Sequence, residues 1–115
     1  MTEAVIVATA RSPIGRANKG SLVSLRPDDM SAQIVKALLA KVPQVKPSDI
    51  DDLMWGIGQP AGEGGFNIAR VVAVLAGLDD VPGVQVNRYC SSSLQTIRMA
   101  FHAIMAGEGD CFVAG

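Results

Sequence analysis

GVQVNRYCSSSLQTIRMAFHAIMAG, residues 83–107, changes its hydrophobic pattern once along its length. Residues 83–89 are rich in Val and partly alternate between apolar and polar side chains, which is typical of a β-strand. From Ser91 onward, apolar side chains recur at helical spacing as far as Gly107, a typical helix stop. They are Leu94, Ile97, Phe101, Ile104 and Met105. The stretch therefore predicts a strand and a helix that meet at Cys90.

Three other short segments have the composition of strands. They are residues 4–9 (AVIVAT), 53–57 (LMWGI) and 111–114 (CFVA). The first is continuously apolar and rich in β-branched side chains, which is typical of a strand covered on both faces, as in a parallel sheet. Residues 11–26 contain proline and glycine among polar residues and show no sustained period, so they predict a long loop.

Two more helices are predicted between these strands. Pro27 suits the first position of one helix, and Pro43 marks its end. Asn67 suits the N-cap of the next helix, and Gly77 its end. Four strands that alternate with three helices predict an α/β fold with a parallel or mixed sheet and covering helices. No linker or repeat interrupts the pattern, so residues 1–115 are predicted to form one domain.

The composition of the chain argues against several classes of protein. Hydrophobic residues make up 49% of the 115 residues, and the net charge is −1. Lys and Arg are scattered singly, unlike the basic stripe that nucleic-acid binding needs. No apolar run reaches membrane-spanning length or has the flanks of a secretion signal. Two cysteines and one histidine are too few for a disulfide framework or a metal site, so we expect a cytoplasmic protein without a metal.

Cys90 is the candidate nucleophile of this chain. At the junction of a strand and a helix, its sulfur would lie near free N–H groups and the positive end of the helix dipole, which favour a thiolate. Its backbone N–H would also suit an oxyanion formed at an attacked carbonyl, and the small side chains at 91–93 leave room for a substrate. The alternative is a buried cysteine that packs as a small apolar side chain, and placement alone does not decide against it.

Residues 86–104 (VNRYCSSSLQTIRMAFHAI) resemble the acyl-enzyme signature of the thiolase family. The resemblance includes Asn87 three residues before the cysteine and small residues directly after it. Three other segments are similar to thiolase segments, namely residues 5–15 (VIVATARSPIG), 65–70 (GFNIAR) and 111–115 (CFVAG). Ser93 departs from the family pattern, because many thiolases have Gly at this position, although serine is also small.

The resemblance implies an acyl-CoA C-acyltransferase. Cys90 would attack the 3-keto group of a 3-ketoacyl-CoA, expel acetyl-CoA as its enolate and pass the acyl group to coenzyme A, with condensation as the reverse reaction. Also implied are coenzyme A as a cosubstrate, no permanently bound cofactor, a role in fatty-acid β-oxidation, and a homodimer or homotetramer. The family segment that matches Asn67 and Arg70 lies near the dimer contact. The alternatives are plain capping for Asn67 and a solvated charge for Arg70.

The resemblance further implies that residues 1–115 are the N-terminal domain of a longer protein. Thiolases supply a proton-transferring histidine and a second cysteine from a later domain, and their loop domain and C-terminal domain have no counterpart in these residues. A last strand without a covering helix also favours a missing remainder or a partner chain. We therefore expect residues 1–115 alone to be inactive, as a fragment or as a subunit that another chain completes.

Three other residues are interpreted as structural. His102 would lie on the same helix as Cys90, roughly 18 Å further along at 1.5 Å per residue, which is too far to act as its base. Cys111, on a predicted buried strand, is interpreted as a packing residue. Trp55 is interpreted as packing against the sheet.

Two other functions fit parts of the sequence. Residues 90–94 (CSSSL) also occur in ketosynthases, which act on carrier-protein thioesters, but the lead-in 87–89 (NRY) and residues 10–15 (ARSPIG) favour a thiolase. Gly56, Gly58 and Ala61 fit the G-x-G-x-x-A pattern of a dinucleotide-binding module, with acidic residues about 20 positions further on. This module is the least favoured reading, because Pro60 and further glycines interrupt the helix that must follow.

Overall fold

The computed structural model describes residues 2–115 and shows an α/β fold, as predicted. Three helices, α1 (Pro27–Ala40), α2 (Ile68–Leu75) and α3 (Ser92–Ala106), alternate with three strands, β1 (Asp52–Gly56), β2 (Gly83–Val86) and β3 (Phe112–Ala114). Short 3-10 turns cover Pro47–Asp49, Gly62–Gly64 and Tyr89–Ser91. No helix within residues 2–115 combines the length and the apolar character needed to cross a membrane.

The three strands form one parallel sheet in the order β2-β1-β3. Leu53 in the central strand pairs with Gly83 of β2 and with Val113 of β3. Because all three strands run in the same direction, the segments that follow them leave from the same edge of the sheet. This carboxyl edge carries the loop after β1 and the turn that contains Cys90.

The main core lies between one face of the sheet and the helices α1 and α2. Side chains along a strand alternate between the two faces, and Leu53 and Trp55 of β1 belong to the core on this face. Leu53 is fully buried in the same cluster as Val35 of α1 and Val72 of α2. Burial of each such side chain stabilises the fold by about 1.5–3 kcal/mol. The helix α3 covers the opposite face of the sheet and contacts all three strands.

The helix boundaries follow the prolines and glycines of the sequence. Helix α1 begins at Pro27, with Asp28 and Asp29 in its first turn. Helices α2 and α3 end close to Gly77 and Gly107, whose φ angles of +80° and +76° are left-handed. Glycine adopts this conformation without a steric penalty. The predicted starts and stops of these helices are confirmed.

The apolar stripe predicted on α3 is a real helical face, but it points away from the sheet. Leu94 is 67% exposed and Phe101 is 47% exposed. The buried face of α3 instead consists of small side chains, which are Ser92, Thr96, Ala100 and Ala103. The helix lies too close to the sheet for larger ones, because a Cβ atom on Gly56 would come within 2.8 Å of Ser92. Close packing therefore selects the small residues for the inner face.

The strand predicted over residues 4–9 is not formed, so this prediction is wrong. The segment has no regular secondary structure, and its central residue Ile6 is 73% exposed. A run of β-branched residues suits a strand, but a strand also needs an edge to pair with. Within residues 2–115, the outer edges of β2 and β3 are unpaired in the three-stranded sheet, but residues 4–9 pair with neither of them. The segment is bound to the C-cap residue of α1, Lys41, whose Nζ atom donates to the carbonyl oxygen of Thr9 at 2.6 Å.

Candidate active site

Cys90 lies where the sequence predicted it, between a strand and a helix. It occupies the 3-10 turn Tyr89–Ser91, four residues after the end of β2 and two residues before the start of α3. The residue is exposed, and it carries no disulfide. Its location at the carboxyl edge of a parallel sheet is the usual position of a site in α/β folds. The reading of Cys90 as a buried packing residue is therefore wrong.

Two side chains fix the backbone of this turn. The Oδ1 atom of Asn87 accepts a hydrogen bond from the backbone N–H of Tyr89 at 3.0 Å. The Oγ atom of Ser92 accepts from the backbone N–H of Arg88 at 2.8 Å and donates to the carbonyl oxygen of Tyr89 at 2.7 Å. The backbone N–H of Ser91 also donates to the carbonyl oxygen of Arg88 at 3.0 Å. Every residue around Cys90 is thus held by a hydrogen bond of the turn.

The turn holds Tyr89, its first residue, in an unfavourable backbone conformation. Tyr89 has a φ angle of +47°, a region that residues with a side chain rarely adopt. Its side chain is exposed, so packing of the ring does not explain the backbone. The hydrogen bonds of its N–H and carbonyl groups to Asn87 and Ser92 are the contacts that stabilise it.

Glycines at the end of β1 let the turn approach the sheet edge. A Cβ atom on Gly56 would lie 2.8 Å from Ser92 and from the backbone nitrogen of Ser93. A Cβ atom on Gly58 would lie 3.3 Å from the carbonyl oxygen of Tyr89. Real Cβ atoms make no contact as short as 2.8 Å. A side chain at residue 56 would therefore force the start of α3 away from β1, whereas a side chain at residue 58 would require Tyr89 to shift only slightly.

Asn67 and Arg70 both bond to backbone carbonyl groups near the start of β2. Asn67 occupies the N-cap of α2, but its side chain does not cap the helix, and its Nδ2 atom donates to Gly83 at 2.8 Å. The first N–H of α2 is instead accepted by Gln85, a residue that the sequence pattern did not indicate. Arg70 donates to the carbonyl oxygens of Val81 at 2.8 Å and Asp79 at 2.7 Å. Side-chain capping by Asn67 and a solvated charge at Arg70 are therefore both wrong.

The hydrogen bonds of Asn67 and Arg70 connect α2 to the start of β2, the strand that leads into the Cys90 turn. The chain that contains these elements also matches known proteins. Residues 4–115 match the family model described as "Thiolase, N-terminal domain". The chain belongs to the thiolase family. Within this thiolase domain, Asn67 and Arg70 lie in the segment whose likeness to the family was visible in the sequence.

Full-length relatives of this thiolase domain are much longer. The chain is 45% identical over 116 aligned positions to a "3-ketoacyl-CoA thiolase" of Shewanella frigidimarina. It is 47% identical to a protein with the same name from Shewanella loihica and 46% identical to one from Idiomarina loihiensis. Each alignment covers 100% of this chain and 30% of the relative. The chain therefore spans about a third of the length of these thiolases.

The remaining candidate residues lie away from the Cys90 turn. His102 is exposed on α3, where its ring lies 5.6 Å from that of Phe101. Cys111 precedes β3 at the amino edge of the sheet, opposite to Cys90. Burial, and then the nearby Asp51 and Asp49, raise the pKa of the Cys111 thiol, so it stays protonated. Both residues therefore lie too far from the Cys90 turn to act on its thiol within this chain.

Trp55 also has a structural role. Its Nε1 atom donates to the Oγ atom of Ser31 in α1 at 3.0 Å, and its ring packs against the main core. The interpretation of Trp55 as a packing residue is confirmed. Among residues 2–115, no three His, Cys, Asp or Glu side chains cluster as potential ligands of a metal ion.

The dinucleotide-binding reading of Gly56, Gly58 and Ala61 is wrong. That motif needs a helix that begins directly at the glycine-rich turn, so that its N–H groups can bind a pyrophosphate. Here the turn continues into the 3-10 segment Gly62–Gly64, and α2 begins only at Ile68. The two glycines instead make room for the Cys90 turn.

Proposed function

We propose that this chain is the part of an acyl-CoA C-acyltransferase that carries its nucleophile, Cys90. The observation that supports this most directly is the exposed thiol at the start of α3, in a turn that two side chains hold in place. The names of the relatives, "3-ketoacyl-CoA thiolase", support 3-ketoacyl-CoA and coenzyme A as substrates. Acyl-CoA and coenzyme A are thus the proposed ligands, with no permanently bound cofactor.

In the proposed reaction, the sulfur of Cys90 attacks the 3-keto carbonyl carbon of the substrate. The bond between C2 and C3 breaks, its electron pair leaves with acetyl-CoA as an enolate, and a proton is added at C2. The acyl group remains on Cys90 as a thioester. The thiolate of coenzyme A then attacks this thioester and releases Cys90. The Cys90 thioester and the coenzyme A thioester have similar energies, so acyl transfer between them is reversible. Condensation is the proposed reverse of the whole reaction.

The backbone N–H of Cys90 is the proposed donor to the oxyanion that forms at the attacked carbonyl. Groups at the start of a helix suit this role, because their N–H bonds point outward and lie at the positive end of the dipole. The base and the proton donor are proposed to come from a histidine and a second cysteine outside this chain. His102 and Cys111 do not fit these roles, since they lie away from the turn.

Mass spectrometry of the full-length protein tests this assignment. After mixing with acetoacetyl-CoA, we expect an acetyl adduct on the peptide that contains Cys90. Cys90→Ala should abolish both the adduct and acyl exchange, whereas Cys111→Ala should retain both and serves as the matched control. Undiminished acyl exchange in Cys90→Ala would contradict the proposal. Transfer from a carrier protein but not from coenzyme A would favour a ketosynthase instead.

A second candidate function, a subunit or fragment that needs further protein to become active, is supported by α3. Its outward face exposes Leu94, Ile97, Phe101 and Met105 in one stripe. Exposed apolar patches of this kind usually mark contacts with other protein. We propose that residues 1–115 form the N-terminal domain and that a loop domain and a C-terminal domain complete the enzyme. Purified residues 1–115 should show no turnover, and steady turnover by them alone would contradict this.

We also propose a homodimer or homotetramer that acts in fatty-acid β-oxidation in the cytoplasm. Phe66 is 97% exposed beside Asn67, which supports the segment 65–70 as a dimer contact. Asn67 and Arg70 would brace this segment, since both bond within their own chain. Replacement of Phe66 by Ser in the full-length protein should shift sedimentation toward the monomer. Val23→Ser is the control, because Val23 is also an exposed apolar residue but lies outside both this segment and the apolar stripe of α3. An unchanged sedimentation coefficient in Phe66→Ser would contradict the contact.

A further inference from the structure

Ser92 differs in its surroundings from the other serines that follow Cys90. Ser91 and Ser93 are exposed, whereas Ser92 is only 5% exposed. A buried hydroxyl is costly unless it forms hydrogen bonds. The Oγ atom of Ser92 forms two, from the N–H of Arg88 and to the carbonyl of Tyr89. Both partners are backbone groups, so the side chain holds the course of the main chain.

These two bonds define the path of the chain into Cys90. The groups that Ser92 holds belong to the two residues directly before the cysteine, and its own backbone N–H also donates to Tyr89. The carbonyl of Tyr89 is part of the peptide unit that ends in the nitrogen of Cys90. Its orientation therefore sets the direction of the Cys90 N–H. Without the hydroxyl, the N–H of Arg88 loses its acceptor and Tyr89 loses a contact that stabilises its positive φ angle.

We infer that Ser92 is the positioning residue of the nucleophile, holding the Cys90 thiol and N–H in the geometry that acyl transfer requires. This inference rests on the proposed function of Cys90. Ser92 acts through the backbone, because its buried hydroxyl is already engaged on both sides and does not face a substrate. Misplacement of a reacting group by about 1 Å can lower a rate by about 100-fold. Substrate affinity depends on other contacts and should change little.

Ser31 provides a matched control for this role. It is also 5% exposed, and its Oγ atom also makes one bond in each direction, donating to Pro27 at 2.7 Å and accepting from Trp55 at 3.0 Å. It lies in α1, on the opposite face of the sheet from α3. Ser31→Ala therefore removes the same buried hydroxyl and the same pair of hydrogen bonds without touching the Cys90 turn.

The test compares Ser92→Ala and Ser31→Ala in the full-length protein. We expect Ser92→Ala to lower kcat for acetoacetyl-CoA cleavage by about 10- to 100-fold with KM nearly unchanged, and to slow the modification of Cys90 by iodoacetamide. Ser31→Ala should leave both rates near those of the wild type. Equal kcat and equal modification rates in Ser92→Ala and the wild type would overturn the inference, as would an equal loss in both variants.

Two further outcomes remain decisive. If Ser92→Ala does not fold, Asn87→Ala loosens the same turn at an exposed position, and an unchanged Cys90 modification rate in that variant overturns the inference. If the wild type shows no acyl exchange, the proposed function fails. Slower iodoacetamide modification in Ser92→Ala would then still support the positioning role, because this reaction needs no thiolase activity.

Discussion

Gly56→Ala adds one methyl group where β1 meets the start of α3. An ideal Cβ atom would lie 2.8 Å from the carbonyl carbon and the Cβ atom of Ser92 and from the backbone nitrogen of Ser93. Ordinary contacts of a Cβ atom begin at 3.4 Å, so strand and helix must separate by the difference, 0.6 Å. Two of the three atoms belong to the backbone, and no rotation of a side chain can relieve those contacts.

The expected loss of stability follows from two opposing effects. Overpacking of this kind costs about 1–3 kcal/mol. Alanine also lowers the conformational entropy of the unfolded chain, which stabilises the folded state by about 0.4–1 kcal/mol. Since rigid backbone must move, we expect a net loss of about 1–2 kcal/mol, a factor of about 5–30 in the ratio of folded to unfolded protein. The same displacement moves Ser92 and should slow acyl transfer by Cys90.

Urea denaturation of the full-length protein, followed by circular dichroism, measures this loss as a lower midpoint. Gly65→Ala is the control, because its Cβ atom would come no closer than 3.4 Å to any neighbour and its φ angle is −94°. This variant should have an unchanged or slightly higher midpoint. If Gly56→Ala had the same urea midpoint as the wild type, the reasoning about close approach would be refuted. It would also be refuted if Gly65→Ala were destabilised and Gly56→Ala were not.

Two predictions concern the amino edge of the sheet. The backbone N–H groups of Cys111 and Asp110 donate to the Asp51 carboxylate and hold its pKa below the usual range. A lowered folded-state pKa stabilises the protein above the usual Asp pKa of about 3.9. We therefore expect the urea midpoint to fall as the pH drops below about 4, and Asp51→Asn to weaken this fall; identical acid profiles would contradict it. The raised pKa of Cys111 predicts that iodoacetamide modifies Cys90 first near neutral pH, and peptide mapping that finds Cys111 modified first would contradict this.

Local features of the sequence were sufficient to predict the helix ends and the place of Cys90. Pro27, Gly77 and Gly107 act through their own backbone angles, which depend little on the rest of the fold. The strand before Cys90 ends earlier than predicted, at Val86, because Asn87 begins the hydrogen-bonded turn. Asn87 belongs to the segment that resembles the thiolase family. The hydrogen bond that its side chain accepts from the N–H of Tyr89, however, becomes visible only in the geometry of the turn.

Features that depend on distant parts of the chain could not be predicted. Periodicity located the apolar stripe of α3 but could not show that Gly56 brings the sheet so close that only small side chains fit beneath the helix. Residues 4–9 have the composition of a strand, yet strand formation also depends on pairing with another strand, and these residues do not join the three-stranded sheet. Ser92 was recognised only as a small residue, because three consecutive serines look alike until burial separates them.

The burial of Cys90 and Ser92 reverses the usual preference of both residue types. Free cysteine is among the most often buried residues, and serine is mostly exposed. Here the serine is buried and the cysteine is exposed. The exposed thiol of Cys90 contributes little packing to the fold, and the buried hydroxyl of Ser92 forms both of its hydrogen bonds with the backbone of the turn. An accessible sulfur and a hydroxyl bonded to the backbone on both sides are what the proposed roles of Cys90 and Ser92 require.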